Sequence, residues 1–306
     1  MVRGLTSRAR RLGCAFVLAM VAGPLAAIDI VVVASSAEGR SRVVADAVLQ
    51  ASTPHVLTHG GHADGALETE RIRRAALVIA LGQDAALAVA AHEDAPPMLV
   101  ALVSRADFEH LRGHWPIPRM TGLFIDHPVE RHLRLIRAVL PEAECTGLVL
   151  GPQSRTFEAD LAPATESAGL AIEHSFAASA GDVVPALERH LARCASALTL
   201  PDAVVSHPHV ARAALLTSYR MQRPLFAYSR SWVEAGALAA LFSTPATVTR
   251  DLLDWIDALE SPQRLPEPAH ASHFELAMNT RVARALGLQV PDEDTLRAAV
   301  TAGRHP

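Results

Sequence analysis

The chain contains no lysine, and all 28 of its basic residues are arginine, a compositional bias that identifies no chemistry. Basic clusters are missing from its body as well, and the formal net charge is −4. Neutralising a phosphate backbone needs concentrated Lys or Arg, so a nucleic-acid binder is excluded. Aromatic residues make up only 4%. No Gly-x-Ser-x-Gly turn occurs, which removes the usual nucleophile elbow, and neither Gly-x-x-x-x-Gly-Lys nor Gly-x-Gly-x-x-Gly is present to cradle a nucleotide. Charged residues are only a fifth of the chain while hydrophobic ones are half, which excludes a disordered polymer. Cysteine is scarce, with three in all.

The positive features begin with length. At 306 residues the chain exceeds the size at which one core keeps growing, so two lobes are expected. The amino terminus carries Arg3, Arg8, Arg10 and Arg11, then an apolar stretch from Cys14 to Ala22, then Gly23-Pro24-Leu25-Ala26-Ala27. That tripartite form reads as an export signal cut after Ala27, since the unbroken apolar run is well short of the 18 or so residues of a membrane span. Residues 1–27 are therefore expected to be a signal peptide and the mature protein to be periplasmic.

From Ile28 the pattern becomes that of alternating strands and helices. Ile28 to Ala34 is a β-branched run ending in Ser35-Ser36, and Arg42 to Leu49 is helical in pattern. Val56-Leu57 is a weaker strand. Ala75 to Leu81 reads as a buried strand, with Gln83 or Asp84 capping the helix Ala85 to Ala91, and Met98 to Val103 is a fourth strand ending in Ser104-Arg105. Gly122 to His127 is expected to be the first passage between lobes, leading into the amphipathic helix Val129 to Leu140. The rhythm then restarts, with strands at Gly147 to Leu150, Leu170 to Glu173 and Ala195 to Leu200. The stretch Leu200 to Ser243 reads as a strand at Ala203 to Val205, a helix, a strand at Leu225 to Ala227 and a polar loop. Two βα series separated by one crossing imply an α/β fold of two doubly wound parallel-sheet lobes. The first lobe is expected over residues 28–121 with part of 243–306 returning to it, the second over 122–242. The helix Asp294 to Ala302 has no assigned lobe.

Several segments resemble exported ABC-transporter substrate-binding proteins of the uncharacterised and aromatic-amino-acid type, built on the type I periplasmic binding fold. The carboxyl-terminal run Phe274-Glu275-Leu276-Ala277-Met278-Asn279, followed by Ala283-Arg284-Ala285-Leu286-Gly287-Leu288-Gln289-Val290-Pro291, is its most specific part. Arg223-Pro224-Leu225-Phe226-Ala227 with Gly236-Ala237-Leu238, and Ala80-Leu81-Gly82-Gln83-Asp84-Ala85-Ala86, are similar to two further family passages. The chain departs from the family pattern at Pro116-Ile117-Pro118-Arg119-Met120 and at Ser104-Arg105, both in the presumed crevice.

In open α/β sheets ligands bind beyond the carboxyl ends of the strands. Together with the resemblance, this nominates Ser35, Ser36, Gln83, Ser104, Gln153, Ser154, His207, Tyr228 and Ser229 as ligand-binding residues, and Arg105 as a partner for a ligand carboxylate. The implied activity is capture of a small polar solute for an ABC importer, without catalysis, cofactor or metal. His59, His62, His207 and His209 lack a third ligand at a recognised spacing. The implied partners are a small-molecule ligand and an ABC permease or other membrane receptor, and the protein is expected to act as a monomer. The alternative is an exported sensory or accessory protein of the same fold that signals to a membrane receptor or has lost its ligand. Cys145 and Cys194 each stand before a strand. In a sheet of order 2-1-3-4-5 those strands are neighbours, which permits a disulfide as well as two buried free thiols.

Overall fold

The computed structural model describes residues 27–114 and 119–302. The first βα series comprises β1 (Asp29–Ala34), α1 (Gly39–Leu49), β2 (Val56–His62), α2 (Thr69–Arg74), β3 (Leu77–Leu81), α3 (Gln83–Ala90), β4 (Met98–Val103), α4 (Arg105–His114) and β5 (Met120–Phe124). In β1, Ile30, Val32 and Ala34 face one apolar cluster and Val31 and Val33 another. A strand apolar on both faces must be covered on both, which is why helices flank this sheet.

The second series comprises α5 (Val129–Val139), β6 (Cys145–Leu150), a 3-10 turn (Ser154–Phe157), α6 (Glu158–Ala168), β7 (Ala171–Phe176), α7 (Ala180–Leu191), β8 (Ser196–Leu198), α8 (Pro208–Arg220), β9 (Leu225–Ala227), α9 (Arg230–Ala235) and β10 (Ala239–Phe242). The chain then crosses twice more. Helix α10 (Pro245–Asp257) buries Val248, Leu252 and Ile256 in the core that also holds Val44 and Val48 of α1. Strand β11 (Ala269–His270) runs parallel to β5 at the edge of the first sheet, and β12 (Glu275–Met278) runs antiparallel to β10 at the edge of the second. The short α11 (Thr280–Ala285) follows, and α12 (Glu293–Thr301) places Leu296 and Val300 in the core with α5.

Both sheets have six strands, in the orders β11-β5-β4-β3-β1-β2 and β12-β10-β9-β8-β6-β7. The fold is α/β, two parallel-dominated lobes. The disulfide Cys145–Cys194 joins the starts of the neighbouring β6 and β8, with Cα atoms 4.9 Å apart.

Two local expectations are corrected. Gly122 to Phe124 pair with β4, so the chain leaves the first sheet only after Phe124. Ala203 to Val205 form a turn, because the Asp202 carboxylate takes the N–H groups of Val204 (2.8 Å) and Val205 (3.2 Å) that a strand would give to its neighbour. Trp115 to Pro118 lie outside the described residues, as does the expected signal segment up to Ala26.

Candidate functional site

Three segments cross between the sheets: Ile125 to Pro128, Ser243-Thr244, and Ala271 to Phe274. Side chains stitch them together. Arg131, on α5, donates to Nδ1 of His127 (3.0 Å) and to the carbonyl of Ala271. Arginine can only donate, so Nδ1 accepts and Nε2 carries the proton that His127 gives to Ser243 Oγ (3.0 Å). Ser243 in turn donates to the Ile125 carbonyl (3.1 Å). Burial, reinforced by His132 and Arg131, holds the His127 pKa well below the ordinary value. A neutral ring of defined tautomer is what this relay needs.

A cavity of about 280 Å³ lies against these crossings and between the lobes. Arg40 at the start of α1 and Ser104 after β4 line it from the first lobe. Tyr228, Ser229 and Phe242 line it from the second, and Asp126, His127, His132 and Ser243 form its base. The bulge that brings Ser104 here has Leu102 at φ 59°, where β4 slips register against β5. Arg40 is exposed and has no partner among the described residues.

Asp126 carries the clearest electrostatic signal. It is 6% exposed, and its Oδ1 accepts the Arg105 N–H at 2.7 Å. Its Oδ2 is closed off from solvent and has no hydrogen-bond partner among the described residues. The imidazole of His270 on β11 lies beside it: its Nδ1 donates to the Asp126 backbone carbonyl (2.6 Å) and stands 3.7 Å from Oδ2. Burial pushes the Asp126 pKa up, and His270 opposes it. Burial likewise pushes His270 down, with Asp126 opposing.

Three of the nine nominated residues, Ser104, Tyr228 and Ser229, line this cavity. Tyr228 also donates or accepts a 2.7 Å hydrogen bond with Ser206. It forms part of a second, larger apolar groove of about 830 Å³ between α8 and α9, so its ring stands between the two spaces. Ser35 accepts the N–H of Ala85 (3.0 Å), and Ser36 accepts that of Glu38 (3.2 Å). Gln153 accepts the N–H of Ala203 (2.8 Å), and Ser154 accepts that of Gly151 (2.8 Å). Those four side chains serve local backbone. Gln83 and His207 are exposed at the starts of α3 and α8. Arg105 does not stand free for a ligand either. It crosses from α4 to the second lobe, pairing with Asp160, donating to the Thr156 carbonyl (3.3 Å) and lying 5.6 Å over the Phe157 ring.

Asp126, His127, Ser243 and Arg40 were not nominated by sequence reasoning. The first two sit in the run Ile125-Asp126-His127-Pro128, a polar pair embedded where the βα rhythm breaks, which is the one signal that marks them.

The sequence model of the family described as ABC transporter substrate binding protein matches residues 66–301. The chain belongs to this family. No curated protein matches it by sequence. Among solved structures, a ligand-free, open substrate-binding protein with adhesive properties from Clostridium difficile is 14% identical, with 88% of this chain and 98% of that one covered at a TM-score of 0.62. A conserved domain protein from Vibrio cholerae is 18% identical over 88% of this chain and 98% of its own, with a TM-score of 0.55. An ABC domain from Streptococcus pneumonia in complex with L-Trp is 14% identical over 89% of this substrate-binding protein and 98% of its own, with a TM-score of 0.53. These likenesses show the fold. No helix of the described residues is long and apolar enough to cross a membrane.

Proposed function

We propose that this protein is exported to the periplasm and captures a small polar ligand between its lobes, acting as a monomer that hands the ligand to an ABC importer. No chemistry is required of it: ligand favours the closed arrangement, and the closed arrangement is what a membrane partner recognises. The observation that carries this reading is Asp126. A buried carboxylate oxygen without a donor is a standing cost, and here it belongs to a residue at the base of an interlobe cavity. A ligand bringing an N–H or ammonium group to that oxygen, once a movement of the lobes uncovers it, would relieve the cost, while Arg40 at the rim is free to take an anionic group. One low-identity neighbour, the ABC domain from Streptococcus pneumonia, holds L-Trp, which supports capture without naming the ligand here.

The test is a thermal-shift screen of the mature protein against amino acids, nucleosides, sugars and short peptides, because a ligand that binds only the folded state raises its melting point. A compound with a basic nitrogen is expected to raise it, and Asp126→Asn is expected to abolish most of that rise. No shift with any class, together with no ligand retained through purification, would count against solute capture.

A further inference from the structure

Outside the crevice, one side-chain cluster combines two carboxylates with an imidazole. Asp251 and Asp254 stand one turn apart on α10, and His273 comes from the third crossing. Each offers a donor atom, and all three atoms lie within 4.8 Å of one another. Nδ1 of His273 is 3.0 Å from Asp251 Oδ1 and 3.7 Å from Asp254 Oδ2. Metal–ligand bonds of about 2.1 Å place donors about 3.0 Å apart across a right angle and about 3.4 Å apart across a tetrahedral one. Both separations therefore match edges of a coordination shell to within small side-chain adjustments.

The set is also prepared in a way that a chance surface cluster is not. Asp251 is 2% exposed, and the N–H groups of Ser272 (2.9 Å) and His273 (3.2 Å) donate to its Oδ1, the His273 N–H being shared with Oδ2 (3.2 Å), which fixes the carboxylate in place. The same contacts anchor the backbone that presents the imidazole. Asp254 has an exposed side chain with no hydrogen bond among the described residues, so it can turn onto an ion while water fills the open positions. Among the described residues only one other group has its donors as close, and two of its three members are Cys145 and Cys194, which are tied in the disulfide.

We propose that Asp251, Asp254 and His273 form a binding site for a divalent transition-metal ion. One imidazole nitrogen with two carboxylate oxygens suits zinc or manganese. Calcium asks for six to eight oxygens, and soft cuprous copper asks for sulfur. On binding, the metal takes the place of the hydrogen between Nδ1 of His273 and Asp251, and the neutral imidazole carries its single proton on Nε2. The ion joins α10, which packs on the first lobe, to the segment that leads into β12 of the second, and so braces the third crossing.

The experiment titrates the chelator-treated full chain with zinc, manganese and calcium chlorides, following heat by calorimetry and melting by fluorescence. Wild type is expected to bind zinc at this site and to melt at higher temperature with it, with calcium giving no such rise. Asp254→Asn and His273→Gln are expected to weaken that binding by about tenfold or more, the scale on which even outer-shell changes to a metal site act. Asp254→Asn changes an exposed side chain, so its metal-free melting point should match wild type and the comparison stands even if His273→Gln folds poorly. Absence of any zinc-dependent rise in wild type overturns the site. So does an unaltered titration in Asp254→Asn, which would assign the zinc to histidine pairs elsewhere, such as His110 with His114, whose rings lie 4.2 Å apart.

Discussion

The two lobes meet the same problem at the crevice edge and solve it in opposite directions. In the first, Ser35 after β1 reaches the Ala85 N–H in the first turn of α3, which follows β3. In the second, Asp202 after β8 reaches back to the N–H groups of Gln153 and Ser154 (2.9 Å each) in the turn that follows β6. Each bond ties the first βα turn of a lobe to its third. Each also demands a glycine opposite: a Cβ on Gly82 would lie 2.4 Å from Ser35 Oγ, and one on Gly151 would lie 2.2 Å from Asp202 Oδ1. The free N–H groups at the starts of helical segments have to be satisfied at this edge whether or not a ligand is present. Polar residues after strands are therefore largely spent on the crevice rim, and the ligand is left to the residues of the crossings.

The lobes differ in what holds them together. The first has strands of five to seven residues in β1 to β5. The second has β8 and β9 of three residues each, a buried hydrogen bond from Ser196 to Thr146 (2.9 Å) and the disulfide. Replacing both Cys145 and Cys194 by serine should therefore cost the second lobe most. Opening a loop of 49 residues' separation removes about 4 kcal/mol on the chain-entropy account. Hydrogen exchange read by mass spectrometry should show protection falling in β6 to β10 while β1 to β5 hold. Equal loss in both would end the view that the lobes carry separate stability.

Acid should separate them next. His132 on α5 is fully enclosed, and burial with Arg131 nearby lowers its pKa to about 4. Its unfolded form binds a proton near pH 6.5, so between those values the unfolded state holds more protons and stability falls as pH falls. The full contribution is present above pH 6.5, and a loss on the order of 3 kcal/mol accumulates by pH 4. His132→Gln, an uncharged replacement able to hydrogen-bond, should flatten the pH dependence of urea midpoints. An unchanged slope would show that other groups carry the acid response.

The smallest effect is the contrast between the two rim ties. Asp202→Ala strands several buried N–H groups and should cost about 3 kcal/mol, whereas Ser35→Ala removes one bond and should cost about 1 kcal/mol. Chemical denaturation of both variants measures the difference, and equal costs would show that the two ties are not counterparts.

How much was legible beforehand follows from the same contrast. Strands such as Ile30 to Ala34 and Leu77 to Leu81 are apolar on both faces, and that pattern leaves little choice but a buried parallel strand. Ala203 to Val205 has the same apolar look but follows Asp202, whose side chain competes for its backbone. The nominated hydroxyls and amides were correctly placed after strands, yet whether a hydroxyl meets a ligand or an N–H depends on which turn the other strands bring beside it.

The amino-acid sequence by itself determined the βα rhythm, the restart after one crossing and the family, because period-2 and period-3.6 apolar patterns and a specific carboxyl-terminal tail are local properties of the chain. Tertiary structure alone decided that Arg105 belongs to Asp160, that Asp126 keeps an unsatisfied oxygen, and that Asp251 meets His273. Those pairings join residues 55 and 22 positions apart in two of the cases, and the orphaned oxygen is defined by what fails to reach it. Only the packed fold sets which side chains share a low-dielectric space, and burial is what makes such meetings count.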